Sequence, residues 1–229
     1  MLFSPIRSAL AGAVQPAFNA LPSAAPPPAP PVTVTWDPAN KGYDTALSEG
    51  DLVVTASLSG NIMITRSTVA RSAGKQMFEL TPLSHSSDGI LAVGLAKAAW
   101  DATDVAGYLG TNANSIGIYT NGGAYTNGSD EINNGSTIPD FANAPTDVLT
   151  LALNFDTGKV WMAVNGTFVG DPAAGTGEAF TFTPNTEWYV AVSGFGSVTA
   201  DSVRANFGAS AFTATLPSGW SSWDGSQTA

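Results

Sequence analysis

The stretch that most constrains this chain is Val148 to Gly170, VLTLALNFDTGKVWMAVNGTFVG. Leu149, Leu151 and Leu153 alternate with smaller or polar residues, the period of two of a half-buried strand. Asp156-Thr157-Gly158 is placed to close a hairpin, with Gly158 free to take positive φ. Val160 to Val164 reads as the returning strand. Asn165-Gly166 then supplies the two residues that a type I′ turn requires, both at positive φ. Three short antiparallel strands joined by tight turns predict an all-β fold.

Composition narrows what such a fold does. The chain has 229 residues and a hydrophobic fraction of 44%, enough for a packed core without cross-links. Charged residues make up only 11%, so the surface is built mainly from Ser, Thr, Asn, Gly and Ala. The net charge is −10, and no Lys or Arg occurs between Lys97 and Lys159. A nucleic-acid partner needs cations to displace phosphate counterions, so that class is set aside. Docking on anionic lipid is disfavoured for the same reason. Cys is absent, which rules out disulfides, thiol nucleophiles and thiolate metal sites. No apolar run approaches the roughly 20 residues that span a bilayer.

Three regions follow one another. In residues 1–21, Ser4 suits a helix cap and Pro5 its first turn. Ile6, Leu10, Ala13, Val14 and Ala17 fall at helical spacing, and Pro16 ends or kinks the helix. The expectation is an anchor helix that docks on a partner through Leu2, Phe3, Ile6, Leu10, Val14 and Phe18. A secretory signal is the rival reading, weakened by Arg7, Gln15, Pro16 and Asn19 within the would-be apolar core; a disordered tail is the plainest one. Residues 22–31, PSAAPPPAPP, form an extended, semi-rigid spacer. From Val32 to Ala229 the pattern is strand after strand: Val32–Trp36, Leu52–Leu58, Asn61–Thr65, Met77–Leu80, Ile90–Ala96, Ile116–Thr120, the three strands above, Trp188–Val192 and Val203–Phe207. Many short strands with Gly-rich connections predict a two-sheet antiparallel sandwich. Ala96 to Ala106 is the one other stretch with helical leanings.

Several segments, in order, resemble a SPRY domain, the core of the B30.2 module. Trp36-Asp37-Pro38 with Leu47-Ser48 resembles the entry strand, and ARSAGKQMFEL (Ala70 to Leu80) a signature strand in which Gly74, Lys75, Phe78 and Glu79 match. Val93-Gly94-Leu95-Ala96 with Tyr108-Leu109-Gly110, and SIGIYTNGGAYTNG from Ser115, resemble the next two segments. Asp156, Gly158, Lys159, Trp161, Asn165 and Gly166 match the most regular hairpin pair, and GDPAAG from Gly170 the loop after it. Asn206-Phe207-Gly208, Phe212 and PSGW from Pro217 resemble the closing strand and tail. Gln76-Met77 departs from the pattern, where aromatics are usual. The resemblance spans about Val32 to Trp223. It implies a lectin-like (concanavalin-type jelly-roll) sandwich that binds a ligand through loops at one end, without catalysis or a cofactor.

The residues themselves give enzymes little to work with. His85 is the single histidine, within the polar loop SHSSDG, and is expected to be a solvated loop residue. Asp130 and Glu131 are adjacent, so on a strand they point apart and do not form the facing pair of a glycosidase. With Asn133 and Asn134 they offer oxygens that calcium accepts, although a solvated acidic loop is the simpler reading. The binding candidates lie in the loop Thr111 to Thr137 and beside it: Tyr119 and Tyr125 with Asn112, Asn114, Asn121 and Asn127, flanked by Trp100 and Tyr108. Tyrosine gives rigid amphipathic contact area and asparagine adaptable hydrogen bonds, but Asn-Gly pairs also serve turns and Tyr119 also suits a core strand. Trp161, Trp188 and Phe207 are expected in the core, with Trp220 and Trp223 closing one edge.

The whole reads as a non-enzymatic structural protein of a bacteriophage virion, a head fibre, decoration or tail-associated component. The cysteine-free, Gly/Asn/Thr-rich form of the domain resembles phage-borne copies. The anchor would join capsid or tail proteins, in multiple copies, and the domain would touch a host surface glycan or protein. The alternative is a free-standing secreted or cytoplasmic module that binds a peptide or glycan.

Overall fold

A computed structural model describes residues 31–58, 61–87, 89–101, 108–120, 122–128, 130–131, 138, 141, 146–196 and 198–229. The expected anchor, with Leu2, Phe3, Ile6, Leu10, Val14 and Phe18, lies outside the described residues, as do Asn121, Asn133, Asn134 and the 22–30 part of the spacer.

Sixteen strands and no helix occur among the described residues: β1 Trp36–Lys41, β2 Thr45–Ser48, β3 Val53–Ala56, β4 Ile62–Arg71, β5 Lys75–Ser84, β6 Ile90–Ala96, β7 Ser115–Tyr119, β8 Ala124–Thr126, β9 Asp130–Glu131, β10 Leu149–Asn154, β11 Lys159–Val164, β12 Thr167–Val169, β13 Phe180–Thr181, β14 Trp188–Phe195, β15 Ser202–Asn206 and β16 Ser221–Ser222. One sheet runs β1-β4-β14-β6-β7-β8-β9. The other runs β12-β11-β10-β5-β15-β3-β2, with β13 against β11 and β16 against β5. The strand pairings are antiparallel, except for the two-residue contact of β16 with β5.

The hairpins form for the reasons their residues dictate. Asn154 pairs with Lys159 around a turn in which Gly158 has φ +68°. Asn165 (φ +49°) and Gly166 (φ +81°) turn β11 into β12, as a type I′ turn requires. The alternation at Val32–Trp36 marks which side chains are buried, Val34 and Trp36, rather than a ladder. Pairing begins only at Trp36, and β1 carries a register shift between Trp36 and Lys41 where Pro38 cannot donate.

The two inner faces share one core. Within it, Trp36 meets Phe207 edge-on at 5.3 Å, and Trp223 meets Phe78 at 5.4 Å and Phe155 at 5.9 Å. Both core tryptophans place their indole N–H on a backbone carbonyl. Trp36 donates to Leu52 O (3.1 Å) and Trp223 to Val69 O (3.0 Å). Trp223 therefore fills the centre of the sandwich and does not close an edge. Trp220 packs edge-on to Trp161 at 5.9 Å on the outer side of the second sheet.

Both outer faces are covered as well. Over the first sheet lies the segment after β6, whose Trp100 and Leu109 pack on Ile64, Ala92, Ala96 and Ala191. Over the second lies the C-terminal tail, whose Phe212, Ala214, Leu216 and Trp220 pack on Met77, Ala152 and Trp161. Glu79 pins that tail. Its buried Oε1 accepts from Thr150 Oγ1 (3.1 Å), Thr213 N (2.8 Å) and Ala214 N (2.9 Å).

Glu79→Ala strands three donors, two of them backbone amides, and is expected to cost about 3 kcal/mol. Glu79→Gln keeps one acceptor and loses about half as much. Denaturant midpoints measure the loss, and faster hydrogen exchange at the Thr213 and Ala214 amides locates it in the tail.

Candidate binding surface

The sequence candidates Tyr108, Tyr119 and Tyr125 converge on the outer face of the first sheet. β7 delivers Tyr119 and β8 delivers Tyr125, and their rings meet edge-on at 5.1 Å. The Tyr119 hydroxyl donates to Leu109 O (2.7 Å), which ties the covering segment down. That segment lies close because the strands beneath it carry glycine. A Cβ on Gly117 would stand 2.4 Å from Leu109 O, whereas Gly94 serves the approach of the neighbouring strand, a Cβ there standing 2.1 Å from Ile116 O in β7. Leu109 N donates to Ser193 Oγ (3.1 Å) and Gly110 N to Ser115 Oγ (2.9 Å). The result is a cleft of about 320 Å³ lined by Ile90, Gly110, Thr111, Tyr119, Tyr125 and Gly128. Burial raises the Tyr119 hydroxyl above its ordinary pKa, and Tyr125 and Tyr108 push the same way. Burial also raises Tyr108, with the Asp201 carboxylate adding to it.

The remaining candidates do other work. Trp100 is buried against the sheet, so its ring is packing rather than a flanking contact surface. Asn112 Oδ1 accepts from Asn114 N (2.9 Å), and Asn114 O accepts from Lys97 N (2.8 Å), which shapes the turn before β7. Asn127 holds φ +55° in the turn after β8. The asparagines thus serve turn geometry, as Asn-Gly chemistry allows. Asp130 and Glu131 form β9 on the far edge of the sheet.

A second feature adjoins the cleft at Ile90. The β1–β2 turn, the β3–β4 connection, the β5–β6 loop and the β14–β15 loop all lie at one end of the sandwich, as the pairings Phe195–Ile62, Phe195–Ile90 and Ser202–Ser84 require. Among the described residues five large apolar side chains are exposed, and four belong to this end: Tyr43 (92%), Val198 (72%), Leu58 (68%) and Ile90 (42%). Beneath them sits a clamp. Asp201, fully buried, accepts through Oδ1 from Ser86 N (3.0 Å) and contacts His85 Nδ1 at 3.0 Å. Ser86 Oγ accepts from Val198 N and Thr199 N (both 3.3 Å), and Ser84 Oγ donates to Ala200 O (2.6 Å). His85 is therefore no solvated loop residue: a carboxylate 116 positions away holds it, with 13% of its side chain exposed. The sequence does hint at this rim, in lone apolar residues set among turn formers: Tyr43 in KGYDT, Leu58 in SLSG and Val198 in GSVTA.

Among the described residues no group of three or more His, Cys, Asp or Glu gathers as metal ligands, and no helix is long and apolar enough to cross a membrane. No protein-family model and no curated protein matches the chain. Solved structures do. The SPRY domain of human HERC1 superposes with a TM-score of 0.57 at 16% identity, over 74% of this chain and 96% of that one. The PSpry domain of TRIM65 gives 0.51 at 14% identity, over 80% of this chain and 99% of that one. Stonustoxin gives 0.51 at 13% identity, over 76% of this chain and 27% of its own. The chain has a SPRY-like sandwich fold.

Because their pKa values are raised, Tyr108 and Tyr119 hold their protons to higher pH in the folded chain than in the unfolded one. The stability this gives is present below the ordinary value of 10.0 and is lost as pH climbs through the folded-state values. Phenolate absorbance is expected to show two delayed ionisations in the native protein and none in denaturant. Tyr119→Phe is expected to remove one of them.

Proposed function

We propose that this chain is a non-enzymatic recognition module that binds a protein or glycan on a host surface through its apolar loop end, displayed on a bacteriophage particle by its N-terminal segment. The supporting observation is the gathering of Tyr43, Leu58, Ile90 and Val198 at one end of a sandwich whose two sheet faces are already covered. Exposed apolar side chains grouped in this way mark interaction sites. Fixed loops make such a surface effective, since ordering is then complete before the partner arrives, and the Asp201–Ser86 clamp supplies that order. A binding role also accords with the solved domains that share the fold. The hydroxyls beside His85 are engaged elsewhere, Ser84 with Ala200 O and Ser86 with backbone amides, which favours binding over hydrolysis. The spacing of Leu2, Phe3, Ile6, Leu10 and Val14, followed by a proline-rich spacer, favours docking on a capsid or tail protein.

Mass spectrometry of purified particles is expected to find the chain in multiple copies. Its absence from particles sinks the virion assignment. Leu10→Asp with Val14→Asp is expected to abolish incorporation without changing the melting temperature of the free protein. The full-length triple variant Tyr43→Ser/Leu58→Ser/Val198→Ser is expected to keep its stability within about 0.5 kcal/mol while adsorption to host cells falls about tenfold or more. Unchanged adsorption moves binding away from the loop end.

A further inference from the structure

At the end of the sandwich opposite the apolar loops lies an open groove of about 600 Å³. It forms where β6 leaves its sheet at Lys97, where β8 ends at Thr126 and Asn127, and where β13 leads through Thr183 toward Trp188. Its lining has a one-sided chemistry. Lys97, Thr126, Asn127, Thr181, Thr183 and Trp188 are the polar side chains; each carries a hydrogen-bond donor, the Thr126 hydroxyl giving its own to Ser115 O (3.0 Å), and the one-sidedness lies in the charge, since the threonines and Asn127 also accept. No carboxylate lines it among the described residues, in a chain where 18 acids face 8 Lys and Arg. The indole N–H of Trp188 is buried without an acceptor, as are those of Trp100 and Trp220 elsewhere in the fold.

Lys97 is the one charge in that lining. Its ammonium donates to Ala113 O (3.1 Å) and sits 5.0 Å from the centroid of the Trp188 ring. An ammonium has three donors, so an anion arriving at the groove meets a held cation with hydrogen bonds still to give. One cation suits a singly charged carboxylate better than a phosphate, which gathers several cations or a helix N-terminus. Ile116 and Phe182 supply the apolar part of the floor. Thr181, Thr183 and Asn127 stand exposed around it. A saccharide ring presents both surfaces this requires, an apolar C–H face and a rim of hydroxyls, and the volume falls in the ordinary range for small-ligand sites.

We propose that this groove binds a carboxylate-bearing saccharide, its carboxylate on Lys97 and its hydroxyls on Thr181, Thr183 and Asn127. The site is separate from the apolar loop end and does not depend on what that end contacts.

The test is calorimetric titration of the full chain with oligogalacturonate, its methyl ester, sialyl-lactose and a glutamate-rich peptide, with tryptophan fluorescence read in parallel. An acidic saccharide is expected to bind, to perturb the Trp188 signal and to weaken in molar salt. The methyl ester is expected to bind about tenfold less tightly or worse. Lys97→Gln, and separately Thr181→Ala with Thr183→Ala, are expected to weaken binding about tenfold at unchanged melting temperature. Lys97→Arg is expected to restore most of it. The Tyr43→Ser/Leu58→Ser/Val198→Ser variant is expected to bind like the parent chain, which separates this site from the other end. Failure of both acidic saccharides to bind at millimolar concentration overturns the proposal. So does equal affinity for the methyl ester or for the peptide, or indifference to Lys97→Gln.

Discussion

A two-sheet sandwich has four faces, and only two of them can bury each other. In this chain the other two are covered by its own loops, and that constraint organises the rest. The first sheet presents an outer floor of small residues, Ala92, Gly94, Ala96, Gly117 and Ala191, so the segment carrying Trp100 and Leu109 can lie almost on the backbone. The second sheet presents Met77, Ala152 and Trp161, and the tail caps them with Ala214 and Trp220. Dispersion and hydrophobic burial hold both covers, while a few directed bonds set their position: Tyr119 to Leu109 O on one side, Glu79 to the Thr213 and Ala214 amides on the other.

With the broad faces covered, the ends of the barrel-like stack become the places where side chains meet solvent in groups. The two ends differ in kind. One carries Tyr43, Leu58, Ile90 and Val198 above a clamp of serines and a buried carboxylate. The other carries a lysine, threonines and an asparagine above an aromatic floor. Low surface charge makes this division sharper, since few long ionic side chains are present to blur either patch.

The sequence made the strands legible wherever one pattern served one purpose. β6 matches its expected bounds, and the Asn165-Gly166 turn adopts the positive φ values its chemistry demands. What escaped were features decided by partners far along the chain. The SHSSDG loop is polar and reads as solvated, yet Asp201 holds its histidine against the fold, only 13% of the side chain exposed. Trp100 lies in a stretch with helical leanings and reads as a flank of the binding loop, yet the alanine floor of the sheet receives it. Trp223 reads as an edge closure, yet the gap between Phe78 and Phe155 admits it to the centre. Tyr119 and Tyr125 adjoin because their own strands place them, at neighbouring positions of the hairpin that contains TNGGAYTNG. Short pairings such as β2, β13 and β16 carry too few residues to show a period.

The point where the described fold begins bears on how both ends can act. Val32 N donates to Asp224 O (2.9 Å), and Pro31 to Thr35 run beside the β2–β3 turn and the C-terminal loop. These lie on the side where the edge strands β1 and β2 meet and at the end of the sandwich opposite the apolar loops, because the β2–β3 turn follows the Ser48–Val53 pair while Ala56 and Ser202 face those loops, and Arg71, paired with Trp188, donates to Trp223 O. The chain therefore enters the fold at the far end from the apolar loops. The point of entry and the groove thus share one end, at different corners, and the apolar loops are left free at the other, which is the arrangement expected of a surface that faces away from its attachment.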